Sequence, residues 1–245
     1  MHYSIALDGP AGVGKSTIAR ALAEKLHFVY IDTGAMYRAL GVYFLEEGLS
    51  ASDESAIEAA LPKIDCSIRY QKGEQHVLLN ERDVTKELRT EEVSAMASVT
   101  SQYQAVRAKL TALQRALAAS ENVIMDGRDI GTVVLPDAVL KIFLTADSHV
   151  RAKRRYDQLA AQGKLGTLKL SEIEADMEAR DYRDMHRENA PLRAAEDAVV
   201  VDSSNLSAAE VECRILELLL ARTEDMDVRV WTKKAIDGLK SEAAE

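Results

Sequence analysis

The segment Gly9-Pro10-Ala11-Gly12-Val13-Gly14-Lys15-Ser16-Thr17 follows directly on the apolar run Tyr3 to Leu7, and no other feature constrains the chain as much. It is a complete G-x-x-x-x-G-K-[ST] pattern, so the chain must build a strand, a tight glycine turn and a helix in succession. The residue types have a chemical reason. Glycines let backbone N–H groups close around phosphate oxygens, and the helix that follows presents unsatisfied N–H groups and the positive end of its dipole. Lys15 adds a cation toward the β and γ phosphates, and the Ser16 hydroxyl is placed for Mg²⁺. A glycine turn before a helix can be mere punctuation. With every fixed position filled, a nucleoside triphosphate is the leading ligand.

The 245 residues, 47% apolar and 29% charged, suffice for a real core in one or two domains. No apolar stretch approaches the ~18 residues that cross a bilayer. The N-terminus runs into the first strand without a signal-peptide pattern, so cytoplasmic residence and no membrane partner are expected. Cys66 and Cys213 sit in unlike contexts and are expected as buried thiols, neither disulfide-bonded nor catalytic. The five histidines are scattered without metal-ligand spacing. A net charge of −9 speaks against a nucleic-acid partner. Local charge differs: Arg151, Lys153, Arg154 and Arg155 form one basic cluster, and Arg180, Arg183, Arg187 and Arg193 another. Each fits a solvated helix face or, beside a phosphate loop, a phosphate-handling surface.

Short apolar runs at Tyr3 to Leu7, Phe28 to Ile31, Val123 to Met125, Val139 to Leu144 and Ala198 to Val201 predict buried strands. Helical patterns lie between them, from Lys15 to Leu26, about Ala35 to Glu46, about Glu91 to Ala118 and Ser148 to Gln162. Ser171 with Glu174 and Ser207 with Glu210 predict two capped helix starts. This alternation predicts an α/β fold, a five-stranded parallel sheet flanked by helices, with ligands beyond the strands' C-terminal ends. Asp65 to Tyr70 and Gln75 to Asn80, joined by Gln71-Lys72-Gly73-Glu74, break the rhythm as a small antiparallel insert. The stretch from Thr223 to Glu245 carries Trp231, Ala235, Ile236 and Leu239 at helical spacing and can dock as a helix or fray.

Two further constellations stand at strand ends. Asp32-Thr33-Gly34-Ala35-Met36-Tyr37-Arg38 places a hydroxyl, a phenol and a guanidinium at a strand-to-helix junction, and the guanidinium offers a planar fork for a phosphate. Asp126-Gly127-Arg128-Asp129-Ile130-Gly131-Thr132 follows a strand whose closing Asp126 suits Mg²⁺, directly or through water. Arg180, Asp184 and Arg187, spaced i, i+4 and i+7, share a helix face. Surface ion pairing would explain that spacing only weakly, being worth ~0.3 to 0.5 kcal/mol.

Together GPAGVGKST, DTGAMYR, DGRDIGTVVLPDA, KIFLTA, RAKRRY, the Arg180/Asp184/Arg187 spacing, NAPL and VVVDSSN make the chain resemble the bacterial cytidylate kinase family from Ile5 to about Leu220. The resemblance implies a P-loop nucleoside monophosphate kinase fold over residues 1–222, an acceptor-binding insert at about 62–90, a lid at about 148–166, and an extension at 223–245 whose role it leaves open. It implies that Arg38, Arg128 and Arg187 hold the acceptor phosphate, with Thr33 and Tyr37 nearby. Ser98, Arg107 and Asp129 would read the cytosine ring, and Arg180 and Asp184 the ribose. Arg151, Arg154 and Arg155 fall in the lid, whose arginines close on ATP and the migrating phosphoryl group.

The activity so implied is direct transfer from ATP·Mg²⁺ to CMP, with dCMP as a second acceptor, in a monomer. A kinase of thymidylate, shikimate or dephospho-coenzyme A on the same scaffold is the nearest rival. A GTP-binding switch lacks its N-K-x-D tetrapeptide here, and a pure nucleotide-binding module leaves the acceptor-side matches unexplained.

Overall fold

A computed structural model describes residues 2–71 and 73–242, so Lys72 of the expected hairpin loop and residues 243–245 of the expected extension lie outside it. In chain order the elements are β1 (Ser4–Asp8), α1 (Lys15–Leu26), β2 (Val29–Asp32), α2 (Thr33–Glu46), α3 (Glu54–Ala60), β3 (Cys66–Gln71), β4 (Glu74–Leu79) and β5 (Arg82–Asp83). They continue with α4 (Glu91–Thr100), α5 (Gln104–Ser120), β6 (Val123–Gly127), β7 (Leu140–Thr145), α6 (Ser148–Ala161), α7 (Leu170–His186), β8 (Val199–Asp202), α8 (Ala208–Arg222) and α9 (Met226–Glu242). Two compact units result. Met1–Tyr30 with Glu121–Glu245 forms the first, and Ile31–Ser120 the second.

The apolar runs become a five-stranded sheet in the order β2-β6-β1-β7-β8. β1 pairs in parallel with β6 and β7, and β7 with β8. Its Ile5, Ala6 and Leu7 are buried, as a central strand covered on both faces requires. Register then does the positioning. Leu7 lies beside Asp126, and Asp8 beside Gly127 and Phe143, so residues 9–14 and 128–129 leave the sheet together at the strands' C-terminal ends.

On α1, Ile18, Leu22 and Leu26 recur at helical spacing and pack with Val211, Ile215 and Leu219 of α8. Each such burial stabilises by roughly 1.5–3 kcal/mol. Lys25 on α1 reaches Glu212 on α8 at 2.7 Å. The C-terminal stretch docks: α9 buries Val228, Thr232, Ala235, Ile236 and Leu239 on one side, and Trp231 meets His27 edge-on at 5.5 Å.

In the second unit, β3, β4 and β5 form an antiparallel sheet with Ile68 opposite Val77. The insert therefore has a third strand beyond the expected pair. The helix expected from Glu91 to Ala118 is two helices, because the chain turns at Ser101 to Tyr103. Tyr103 Oη donates to Ala51 O at 2.6 Å, and Arg107 Nη1 to Ser101 O at 3.0 Å. These bonds give the turn partners that a continuous helix would not.

One expected cap is displaced. α7 begins at Leu170, two residues after Leu168, and it is Glu172 that accepts from Lys169 N at 2.8 Å. Glu174 instead accepts from Ser148 Oγ at 3.3 Å, so a tertiary contact took the carboxylate expected to cap. The Ser207–Glu210 box forms as expected. Both cysteines are free. Burial, with the Asp65 charge next, pushes the Cys66 thiol up to about 11. Cys213 is only half-buried, on the flank of α8 beside Glu217, which corrects the expectation of a second fully buried thiol. Among the described residues no helix is long and apolar enough to cross a membrane.

Ile236→Ala should lower the unfolding free energy by about 2–5 kcal/mol in urea titration, the cost of deleting a buried aliphatic side chain. A change near zero would mean that α9 adds nothing to the core.

Candidate active site

In the first unit, residues 9–14 turn the chain from β1 into α1. Gly9 has φ +149°, and a Cβ there would stand 2.0 Å from the Leu144 carbonyl oxygen, so only glycine allows the turn to pass β7. Gly14, at φ 92°, opens α1 without a side-chain cap. The first-turn N–H groups and the dipole thus point out of the helix start toward the loop. Lys15 is buried and donates to the carbonyls of Gly9 at 2.8 Å and Pro10 at 2.7 Å. Burial, then the Arg128 guanidinium, push its ammonium well below the usual lysine range, against the opposing pull of Asp126 and Asp8.

Ser16 and Asp126 come together, with Ser16 Oγ donating to Asp126 Oδ2 at 2.7 Å. Tyr30 Oη donates to Asp126 Oδ1 at 3.0 Å and fixes the carboxylate's orientation. A hydroxyl and a buried carboxylate are hard oxygen ligands of the kind Mg²⁺ takes alongside substrate phosphates. The residues present fit that ion. Among the described residues, no cluster of three or more His, Cys, Asp or Glu side chains could hold a metal ion.

Asp8 closes β1 and accepts from the N–H groups of Ile130 at 2.8 Å and Gly131 at 2.7 Å. It pins the chain after β6, where Ile130–Val134 forms a single π-helical turn. Burial raises its carboxyl to about 6, against those two hydrogen bonds. Arg128 and Asp129 stand between the end of β6 and that turn. Arg128 Nε donates to Asp184 Oδ2 at 2.9 Å, and Arg187 Nη2 lies 3.5 Å from Asp129 Oδ1. Asp129, Asp184 and Arg187 have little exposed side chain.

The expected common face of α7 is incomplete. Arg187 is the residue past the helix end, in extended conformation, and donates through Nε to Ala190 O at 2.7 Å. Asp184 and Arg187 are 4.0 Å apart, so the partner Arg128 at 2.9 Å outweighs pairing along the helix. Arg180 is near enough to depress Lys15 further.

The three arginines of the basic cluster on α6 have different surroundings, and its Lys153 pairs along the helix with Asp157. Arg151 is buried against Asp181. Arg154 donates through Nη2 to Ser203 O at 2.6 Å, across a groove of about 320 Å³ that Val13, Gly14, Thr17, Leu206 and Ser207 also line. Arg155 is exposed and meets Gln158 at 2.8 Å.

In the second unit Asp32 caps α2, accepting from Ala35 N at 2.8 Å, and also holds Arg38 Nη2 at 3.0 Å. Gln75 of β4 brackets the Asp32 backbone, accepting from its N–H at 2.8 Å and donating to its carbonyl at 3.3 Å. The insert therefore braces the start of α2. Thr33 is buried there. Arg107 stacks over Tyr37 at 5.6 Å. Ser98 is half-buried on α4.

Asp8, Tyr30, Gln75 and Asp181 were given no site role by the sequence, and Asp32 and Ser203 stood inside quoted motifs without one. Asp8 and Asp32 had a usable signal, each being the acidic residue that ends a strand-forming run. Asp181 had none, because its role depends on which elements become neighbours.

A model of the cytidylate kinase family matches residues 5–221. The cytidylate kinase of Carboxydothermus hydrogenoformans is 50% identical over 215 residues, spanning 88% of this chain and 96% of that one. That of Caldicellulosiruptor saccharolyticus is 49% identical, spanning 88% and 94%. That of Desulfitobacterium hafniense is 44% identical over 228 residues, spanning 93% and 97%. With the phosphate loop, the braced strand ends and a match of this extent, the chain belongs to the cytidylate kinase family.

Proposed function

We infer that the protein transfers a phosphoryl group from ATP to CMP, giving CDP and ADP, with Mg²⁺ as the accompanying ion and dCMP as a second acceptor. The observation that carries this reading is the family match across residues 5–221, which includes an intact phosphate loop with its lysine buried against it. A soluble monomer in the cytoplasm fits the reading.

The nucleophile is an oxygen of the acceptor's own phosphate, already ionised at neutral pH, so no protein base must take a proton. The residues therefore bind, align and neutralise. Lys15 and the first turn of α1 hold the donor's β and γ phosphates, whose charge favours the ammonium form that burial alone opposes. Ser16 and Asp126 would hold Mg²⁺, which supplies charge neutralisation on the transferred group. The groove beside Arg154 takes the donor's base, against which a guanidinium plane can stack.

By family resemblance, Arg38, Arg128 and Arg187 hold the acceptor phosphate beside Thr33 and Tyr37. Ser98, Arg107 and Asp129 recognise cytosine, and Arg180 and Asp184 the ribose. Asp184 orients Arg128 through its Nε, a device that lowers the cost of ordering the fork when phosphate arrives. The region of α6 and the connection to α7, with Arg155 exposed on it, serves as the lid that keeps water from the donor.

Lys15→Ala should fold normally yet lose at least ~100-fold in turnover, the scale of removing one transition-state donor. Near-normal ADP production in that variant would remove the loop from the chemistry. Across a panel of CMP, dCMP, UMP, dTMP and AMP, ADP release coupled to a dehydrogenase should be fastest with CMP and should stop when EDTA removes the metal. Dominance of an acceptor without cytosine would overturn the assignment.

A further inference from the structure

The tip of the donor loop is gripped by side chains from two helices outside it. Ala11 N donates to Asp181 Oδ1 of α7 at 3.0 Å, and Ala11 O accepts from Arg151 Nη1 of α6 at 2.9 Å. Both polar groups of one loop residue are thereby taken by one ion pair. The same Nη1 donates to Asp181 Oδ2, and Arg151 Nε donates to Ala146 O at 3.1 Å. Arg151 is 7% and Asp181 3% exposed, so water competes little for these bonds.

Apolar contact reinforces the grip. Ala11 packs on the small cluster of Ala152, Ile173 and Met177 between α6 and α7. Gly12 has φ +75°, and a Cβ there would stand 2.4 Å from Met177 Cε. Two successive loop residues are thus seated on the helix pair, one by hydrogen bonds and one by the absence of a side chain.

We propose that Arg151 and Asp181 are positioning residues, a buried ion pair that fastens α6 and α7 to Ala11 and so holds the donor loop in the shape that receives a triphosphate. This rests on the loop being the ATP site. It also removes Arg151 from the cations expected to close on the migrating phosphoryl group, because its Nε and Nη1 serve protein acceptors. A phosphate cradle built from backbone N–H groups depends on where each peptide plane points, and anchoring Ala11 at both its N–H and its carbonyl fixes the planes on either side.

The test is Arg151→Met/Asp181→Leu. Replacing a buried pair by apolar side chains of similar volume commonly preserves stability, whereas both bonds to Ala11 disappear. A melting temperature near that of the wild type is expected, with KM for ATP and the calorimetric Kd for Mg·ATP raised on the order of 10- to 100-fold, as for a misplaced but intact site. KM for CMP should not move. Asp181→Asn and Arg151→Met should each show the same ATP-specific defect, and the pair together no more than the worse single, because they act as one unit.

Unchanged ATP affinity in the double variant would overturn the proposal. So would a turnover loss in Arg151→Met with wild-type behaviour in Asp181→Asn, which would mark direct contact with substrate. Equal weakening of ATP and CMP alongside a lowered melting temperature would likewise overturn it. If the double variant fails to fold, Asp181→Asn decides, since an amide of the same size has one oxygen and cannot accept from both Ala11 N and Arg151, so the grip is broken with little change in volume. Wild-type turnover is measured alongside. Its absence would refute the kinase reading itself, whereas an active wild type with unimpaired variants refutes only the grip.

Discussion

Everything in the first unit depends on one passage of backbone, the turn by which β1 becomes α1. Gly9 slips past the Leu144 carbonyl, Gly14 enters the helix from the left-handed region, and no side chain caps the N–H groups that result. Such a helix start is a standing demand for anionic charge. Parallel pairing then sets the neighbours of the demand. Because Asp8 lies beside Gly127, the turn and the segment that follows Gly127 leave the sheet together. Asp8 ties the two by accepting two N–H groups from the π turn.

Charge is arranged with similar economy in a chain whose net charge is −9. Arg128 meets Asp184, Arg187 meets Asp129, and Arg151 meets Asp181. Desolvating each pair costs much of what its attraction returns, so stability alone is a poor reason for three of them. Preorganisation is a better one. A guanidinium already held by a carboxylate has little rotamer freedom left to lose, and its direction is set in advance, whether it faces a ligand or, as Arg151 does, the Ala11 carbonyl. Lys15 follows the same logic. Burial and Arg128 disfavour its charge, and a polyphosphate bound beside it would favour it.

The parallel core was legible in the sequence because each of its strands is a short apolar run and each glycine of the loop answers a definite backbone need. Ser16 and Asp126 were legible for the same reason, each standing at a fixed offset from such a run. Local patterns misled where a tertiary partner intervened. The helix pattern through residues 101–103 breaks because Tyr103 reaches Ala51, and Glu174 forsakes a cap for Ser148. The π turn at Ile130 and the grip of Asp181 on Ala11 had no sequence signal, since both exist only once β1, β6 and α7 are assembled. The docking of α9 was half legible: its apolar spacing showed, whereas the surface of α1 and α8 that receives it did not.

The claim at the centre is a single in-line displacement from ATP to CMP with no phosphoryl-enzyme intermediate. Its most direct measurement is the stereochemical course of transfer from ATP whose γ-thiophosphate is made chiral with oxygen isotopes, read at the β phosphorus of the CDP analogue formed. Inversion is the result expected of one displacement between aligned donor and acceptor. Retention would require two displacements through the enzyme and would contradict it.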